Sequence, residues 1–219
     1  MKKILMMLML IPAIVMANTN STVYIAIDAG VSHLGKDAGE MCQFLTNVSN
    51  MASTSGQSSC SNHTPIDIAL GYNFNNYSGV EIKAASVGGK TFKYSTQYDG
   101  INYDANADLN IQSLELAGIG YFPIVDNFRL TGKLGFALTE VSTKGSIQQH
   151  NPDKTVSELC IGCSFEKMNY VPIYGVGMQY DFSRLIGMRM NYEHYGNMSG
   201  PYDTKIGAST YTAGVLLKF

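Results

Sequence analysis

The C-terminal end of this chain constrains its fold most strongly, because it has the pattern of a β-strand with one apolar face. One parity carries Tyr211, Ala213, Val215, Leu217 and Phe219, whereas the other carries a threonine, a glycine, a leucine and a lysine. Side chains of a strand alternate between its two faces, so this period of two gathers the apolar groups on one side. A soluble domain rarely ends on such a strand, because its unpaired edge would promote aggregation. A closed barrel avoids the problem, since its last strand pairs with its first and its apolar face contacts lipid.

The N-terminal end predicts export across a membrane. Two lysines are followed by an uncharged apolar run over 4–16 and by the small residue Ala17. This is the pattern of a secretory signal peptide that is cleaved after Ala17, and the run is too short for a membrane-spanning helix. The alternative is an uncleaved N-terminal anchor. We therefore expect residues 1–17 to be a signal peptide and residues 18–219 to form one outer-membrane barrel domain.

Seven further segments alternate in the same way and are separated by polar stretches. The predicted strands are 23–31, 66–74, 80–85, 114–122, 128–138, 173–182, 186–193 and 211–219. The connections between them alternate between long and short, and the longest are the polar loops 34–64, 88–109 and 142–168. Short turns at one end and long loops at the other are typical of bacterial outer-membrane barrels. The sequence therefore predicts an all-β fold, an eight-stranded antiparallel up-and-down transmembrane β-barrel.

Charged residues in the predicted strands lie on the face opposite the apolar residues. They include Glu81, Lys83, Glu115, Lys133 and Arg189. A basic side chain facing lipid near the midplane would cost roughly 2–4 kcal/mol, so these charges are expected to point into the barrel. The interior of eight strands is just wide enough for side chains to fill, and buried charges there must be paired. We predict an interior network of Glu81, Glu115, Lys133 and Arg189.

Aromatic residues lie near the predicted short turns. They are Tyr72, Phe74, Phe122, Phe128, Tyr180, Phe182 and Phe219. Aromatic side chains collect at the interfaces of transmembrane barrels, so this placement predicts a girdle at the periplasmic interface. The alternative is a soluble β-sandwich with these rings in its core, which does not account for charges on one face of nearly every strand.

Three stretches resemble the transmembrane domain of the OmpA family of bacterial outer-membrane proteins. They are the hairpin over 71–81, the sequence GYFPIVDNFRL over 120–130 with KLG after it, and GVGMQYDF with MRMNYEHY within 174–195. The likeness covers the strands and leaves out the loops. It implies location in the bacterial outer membrane, with outer-membrane lipids and lipopolysaccharide as partners. It also predicts that the family's peptidoglycan-binding domain is missing, since the barrel takes up the chain after the signal peptide.

The resemblance implies roles for individual residues. In that family an acid on the third strand and an arginine on the seventh belong to an interior charge network, and Glu81 and Arg189 match those positions. Lys133 matches a basic position of the network. Gln179 stands where the family has an acid on the sixth strand, and this departure argues against an exchange of salt-bridge partners that would open a pore.

The C-terminal strand is similar to the assembly signal of outer-membrane barrels. In such signals the insertion machinery reads the terminal aromatic residue and the alternate apolar positions before it, here Phe219 with Tyr211, Ala213, Val215 and Leu217. The resemblance therefore implies the outer-membrane assembly machinery as a partner.

The cysteines predict two disulfides, because the chain is exported to an oxidising compartment. Of the three connectivities, the pairing of Cys42 with Cys60 and of Cys160 with Cys163 closes each bridge within one loop. The alternatives are a redox-active CxxC and a zinc site in which the CxxC sequence is joined by two further ligands from among Cys42, Cys60 and His63. We expect structural disulfides, with no metal and no other cofactor.

The function predicted from these features is structural or adhesive, with the loops binding host or extracellular ligands. The net charge of −2 does not indicate the excess of basic residues that is typical of proteins that bind nucleic acid. One alternative is a narrow, porin-like passive pore, which needs a water path through the interior. The other is a lipid A-modifying enzyme, which needs histidine, serine and acid on one face. Because His194 and Glu193 are neighbours, alternation puts them on opposite faces, and no catalytic residue is predicted.

Overall fold

The computed structural model describes residues 21–35, 57–98, 101–150, 156–158, 164–199 and 205–219. Its strands are β1 (Thr22–Leu34), β2 (Gln57–His63), β3 (Ile66–Asn73), β4 (Ser78–Tyr98), β5 (Ile101–Val125), β6 (Phe128–His150), β7 (Val156–Glu158), β8 (Ser164–Asp181), β9 (Ile186–Ser199) and β10 (Lys205–Lys218). Within these ranges, no helix is both long and apolar enough to cross a membrane.

Eight of the strands close into a barrel. They pair in the order β1, β3, β4, β5, β6, β8, β9 and β10, and β10 pairs back with β1. Ile27 of β1, for example, lies opposite Ile68 of β3 on one side and opposite Val215 of β10 on the other. All of these pairings are antiparallel, and closure leaves none of the eight strands as a free edge. The predicted all-β, eight-stranded antiparallel barrel is confirmed.

The predicted alternation of faces is present along the strands. On β10 the residues of the predicted apolar face, Tyr211, Ala213, Val215, Leu217 and Phe219, are all exposed on the outside of the barrel. Leu216 and Lys218, on the other parity, are buried inside. An outer surface of this kind is stable only against lipid. That the assembly machinery reads these positions stays a prediction.

Several strands continue well beyond their predicted ends, so the predicted polar loops were wrong in part. β4 and β5 form one hairpin that pairs as far as Tyr98 and Ile101, within what was predicted as a loop over 88–109. β6 runs to His150, and β2 lies within the predicted loop 34–64 and pairs with β4. A strand outside the membrane has water on both faces, so it needs backbone pairing but no apolar alternation. The sequence pattern therefore ends at the membrane, while the strands do not.

Some predictions concern residues outside the described ranges. Cys42, Cys160 and Cys163 lie there, as do residues 1–17. The backbone of Cys60 lies in β2 opposite Phe92. The two disulfides, the signal peptide and the domain boundaries therefore stay predictions.

Candidate functional site in the barrel interior

The four charges predicted to meet inside the barrel belong to one connected network. Glu81 of β4 accepts a hydrogen bond from Lys133 Nζ of β6 at 2.6 Å and another from Arg189 Nη1 of β9 at 2.5 Å. Glu115 of β5 does not touch these three directly. It joins them through Lys83, whose Nζ lies 3.1 Å from Glu115 Oε2.

Glu193 of β9 links the two halves of this network. Its Oε1 accepts from Lys133 Nζ at 2.5 Å, and its Oε2 accepts from Lys83 Nζ. Gln179, at the position where the resemblance led us to expect an acid, is buried and donates to Asp181 Oδ1 at 2.8 Å. Lys133 therefore takes its second acid from the seventh strand of the barrel, β9, instead of the sixth.

Sequence reasoning missed one base and three acids as members of the network, namely Lys83, Asp28, Asp67 and Glu193. Arg189 donates to the Asp28 carboxylate from Nε at 2.9 Å and from Nη2 at 2.5 Å. Lys83 Nζ lies 3.5 Å from Asp67 Oδ2. All three acids have inward parity, which was the signal available in the sequence. Parity gives the face of a side chain but not its partner across the barrel.

The network holds more acids than bases. Its carboxylates and cations are Asp28, Asp67, Glu81, Glu115 and Glu193 with Lys83, Lys133 and Arg189. Two tyrosine hydroxyls supply further donors, from Tyr24 Oη to Glu81 at 2.7 Å and from Tyr195 Oη to Glu115 at 2.6 Å. A buried carboxylate without a donor is costly, so these hydroxyls stabilise the excess of negative charge. Tyr24 reaches Glu81 by lying across Gly71, where a Cβ atom would be 2.0 Å from its ring.

A second, smaller charge cluster lies toward the short turns. Asp181 Oδ2 is 2.9 Å from Arg129 Nη2 and 2.5 Å from Lys218 Nζ. The guanidinium of Arg129 also stacks 4.7 Å from the centre of the Tyr121 ring. Below this cluster the barrel opens into a mouth of about 620 Å³ lined by the turns. Between the cluster and the main network, the structure shows a cavity of only about 20 Å³, room for roughly one water molecule.

The interior on the other side of the network, toward the long hairpins, is filled by apolar side chains. Their members are Val87, Phe92, Leu109, Ile111, Ala117, Ala137, Val141, Val171, Ile173, Tyr195, Met198, Ile206 and Ala208. Val87, Ile111, Val141 and Met198 are fully buried. A packed apolar layer of this kind holds neither water nor ions. We call it the apolar plug.

His33, His63 and His194 lie outside the interior network. His194 faces outward, and its Nδ1 is 2.9 Å from Ser209 Oγ, whereas Glu193 is buried inside. The described contacts of His194 are with Ser209 and the Tyr174 ring. Neither contact places a carboxylate beside the pair of His194 and Ser209. His63 Nε2 is 2.8 Å from Thr91 Oγ1. In the part of the chain that the structure describes, no three side chains of histidine, cysteine, aspartate or glutamate are grouped to hold a metal ion.

A closed antiparallel barrel with apolar residues outside and paired charges inside is a transmembrane β-barrel. Residues 4–219 match the family model of the outer membrane protein beta-barrel domain, and the chain belongs to this family. Its location is the bacterial outer membrane. No curated protein matches the sequence.

Solved structures of similar shape are also outer-membrane barrels. The N-terminal β-barrel domain of OprF from Pseudomonas aeruginosa has 10% sequence identity and a TM-score of 0.50, over 91% of this chain and 98% of that one. Neisserial surface protein A has 13% sequence identity and a TM-score of 0.49, over 90% of this chain and 97% of that one. Ail, the attachment invasion locus protein of Yersinia pestis, has 16% sequence identity and a TM-score of 0.48, over 91% of this chain and 99% of that one. At these identities the likeness concerns the fold, and the resemblance to the OmpA transmembrane domain is confirmed at that level.

Proposed function

We propose that this protein is a non-conducting and non-enzymatic scaffold that displays a rigid extracellular β-sheet to host or extracellular ligands. The observation that carries the proposal is the length of β4, β5 and β6, which continue as paired strands far past the membrane. The interior beneath them is filled, so the barrel supports the sheet without offering a channel.

The length of β4 can be compared with the thickness of a membrane. β4 has 21 residues, which at about 3.4 Å per residue is roughly 70 Å. The hydrocarbon core needs only about 9–11 residues of a tilted strand. The ladder between β4 and β5 shifts register between Ser86 and Gly88, where Gly88 has a φ of +118°. Only glycine adopts this φ readily, so Gly88 permits the bulge that interrupts the ladder at this level of the hairpin.

The surface of this extracellular sheet suits recognition in water. β2, β4, β5, β6 and β7 pair side by side there. Among the side chains that the structure describes there, the exposed ones are polar and include Lys93, Asn106, Asp108 and Lys144. A surface that is already ordered loses little conformational entropy on binding, which favours affinity. Loops carried on a rigid scaffold are the usual place for binding residues.

The two alternative functions have less support. A passive pore would need a water path past both the charge network and the apolar plug. A lipid A-modifying enzyme would need an acid beside the pair of His194 and Ser209, and the nearest acid along the chain, Glu193, faces the interior.

Shortening the β4–β5 hairpin should abolish ligand binding while leaving the barrel folded. Phe92 and Ala107 are paired across the hairpin, so replacing residues 93–106 with Asn-Gly closes it with a two-residue turn and keeps Phe92 and Leu109 of the apolar plug. Cells of a non-adherent Gram-negative laboratory strain that display the full chain should adhere to wells coated with reconstituted basement-membrane matrix. Cells that display the shortened chain should adhere no better than cells with an empty vector.

Folding of the shortened barrel is checked by its change in gel mobility on boiling. Equal adhesion of the full and shortened chains would contradict display by this hairpin. Equal adhesion of the full chain and the empty vector would contradict an adhesive role toward this matrix.

A further inference from the structure

A row of polar side chains lies on the outer, lipid-facing surface of the barrel. His33 of β1, Ser209 of β10 and His194 of β9 have outward parity. The strand register places Ser209 opposite His33 on one side and opposite His194 on the other. The three side chains therefore form one row across three neighbouring strands, which we call the histidine row.

The histidine row marks the upper edge of the apolar band. One step below it on the same face are Val31 and Tyr211, which are 57% and 50% exposed on the lipid side. The outward-facing apolar residues of β4, β5 and β6 are also followed by a polar residue on the same face, which is Ser86 on β4, Gln112 on β5 and Glu140 on β6. A polar rim above an apolar band corresponds to the level of the lipid headgroups. The histidine row is thus placed among the headgroups of the outer leaflet.

The contacts of the row hold its polar atoms close together above aromatic rings. Ser209 Oγ is 2.9 Å from His194 Nδ1 and 3.4 Å from Tyr192 Oη. The rings of Tyr192 and Tyr211 are 4.9 Å apart, and His33 meets the Tyr211 ring edge-on at 5.9 Å. Aromatic rings of this kind settle at the boundary between acyl chains and headgroups. The histidine row and the rings of Tyr192 and Tyr211 together form one patch. Its hydrogen-bonding groups lie farther from the membrane centre than its aromatic rings.

The same face of β10 carries a positive charge above the row. Lys205 is exposed and has the parity of Ser209, four residues or about 14 Å farther from the membrane. Gly207 lies between them, and a Cβ atom there would meet only Asn197 Oδ1, at 3.6 Å, so the surface between the lysine and the row is open. On β6, the rim position is occupied by the acid Glu140. The patch around the row is therefore better suited to an anion than the β6 side of the rim.

We propose that His33, Ser209, His194 and Lys205 bind the phosphorylated glucosamine headgroup of a glycolipid in the outer leaflet. Imidazole, hydroxyl and ammonium groups donate hydrogen bonds to phosphate oxygens, and such bonds are stronger than neutral ones when a charge is involved. The tyrosines below the row pack against the first part of the acyl chains and the sugar. A phospholipid shares the phosphate but lacks the sugar, so the test includes both.

The experiment measures lipid binding to the full chain in phosphatidylcholine nanodiscs. Bisphosphorylated lipid A is titrated, and bound lipid is counted by native mass spectrometry. The double substitution His33→Leu with His194→Leu should raise the dissociation constant about tenfold, because two hydrogen bonds to phosphate are lost. Gln112→Leu is the matched control, since it removes a polar side chain at the same level on β5, and it should leave the constant unchanged.

Three outcomes would overturn the proposal. In the first, the double variant binds lipid A as tightly as the wild-type chain. In the second, lipid A without phosphate groups binds as tightly as the phosphorylated form, which would exclude recognition of phosphate. In the third, phosphatidylglycerol displaces lipid A at equal concentration, which would show that any phosphate lipid suffices. The boiling-dependent gel shift of each variant confirms that a loss of binding is not a loss of folding.

Discussion

Replacing Lys83 with methionine should lower the free energy of unfolding by about 3–5 kcal/mol, or prevent the barrel from folding. The side chain of Lys83 is 2% exposed, and its Nζ is shared by Asp67, Glu115 and Glu193. Methionine keeps the length of the side chain but removes its charge, which leaves three carboxylates without their common cation in a medium of low dielectric constant. The measurement is urea unfolding of the protein in lipid vesicles.

The control for this substitution is Lys93→Met, on the same strand but outside the membrane, where the side chain is exposed. It should change the unfolding free energy by less than about 0.5 kcal/mol. Adding Glu115→Gln to the Lys83→Met variant should recover part of the loss, since one of the uncompensated charges is then removed. If Lys83→Met unfolds at the same urea concentration as the wild-type chain, the network does not stabilise the barrel.

Replacing Leu134 with arginine should destabilise the barrel by about 2–4 kcal/mol. Leu134 is 74% exposed on the outside of β6, near the middle of the apolar series that runs from Phe128 to Leu138 on that face. It is therefore expected at the midplane of the bilayer, where an arginine loses its hydration. The measurement is again urea unfolding in lipid vesicles.

The matched control is Ser142→Arg on the same face of β6. It lies eight residues, or about 27 Å, farther along the strand and is expected outside the hydrocarbon layer. The same added charge should cost at most about 1 kcal/mol there. If the outer face of the barrel met water instead of lipid, Leu134→Arg would cost no more than Ser142→Arg, and that result would contradict a membrane-spanning barrel.

The parity of side chains could be predicted from the sequence because the membrane imposes it. Every lipid-facing position must be apolar, and so Leu134 and Val215 were placed on the outside and Lys133 and Lys218 on the inside from alternation alone. The same physical rule explains why the extracellular parts of β4, β5 and β6 were missed. Water accepts polar residues on both faces of a strand, so no alternation remains to be read.

The partners within the charge network could not be predicted in the same way. Arg189 and Asp28 are 161 positions apart and meet through the barrel interior, where strand tilt and shear decide which side chains reach each other. The resemblance places the second acid at position 179, whereas Glu193 on the neighbouring strand provides it. Parity predicts that a charge is buried, whereas its partner depends on three-dimensional register.

The central claim is that the barrel spans the outer membrane with a closed interior, and single-channel recording in planar lipid bilayers tests it most directly. The charge network and the apolar plug occupy successive levels of the interior, so the folded wild-type chain should leave the current at the level of the bare bilayer. Stable current steps proportional to the applied voltage would contradict this account, since they require a continuous water path past both layers.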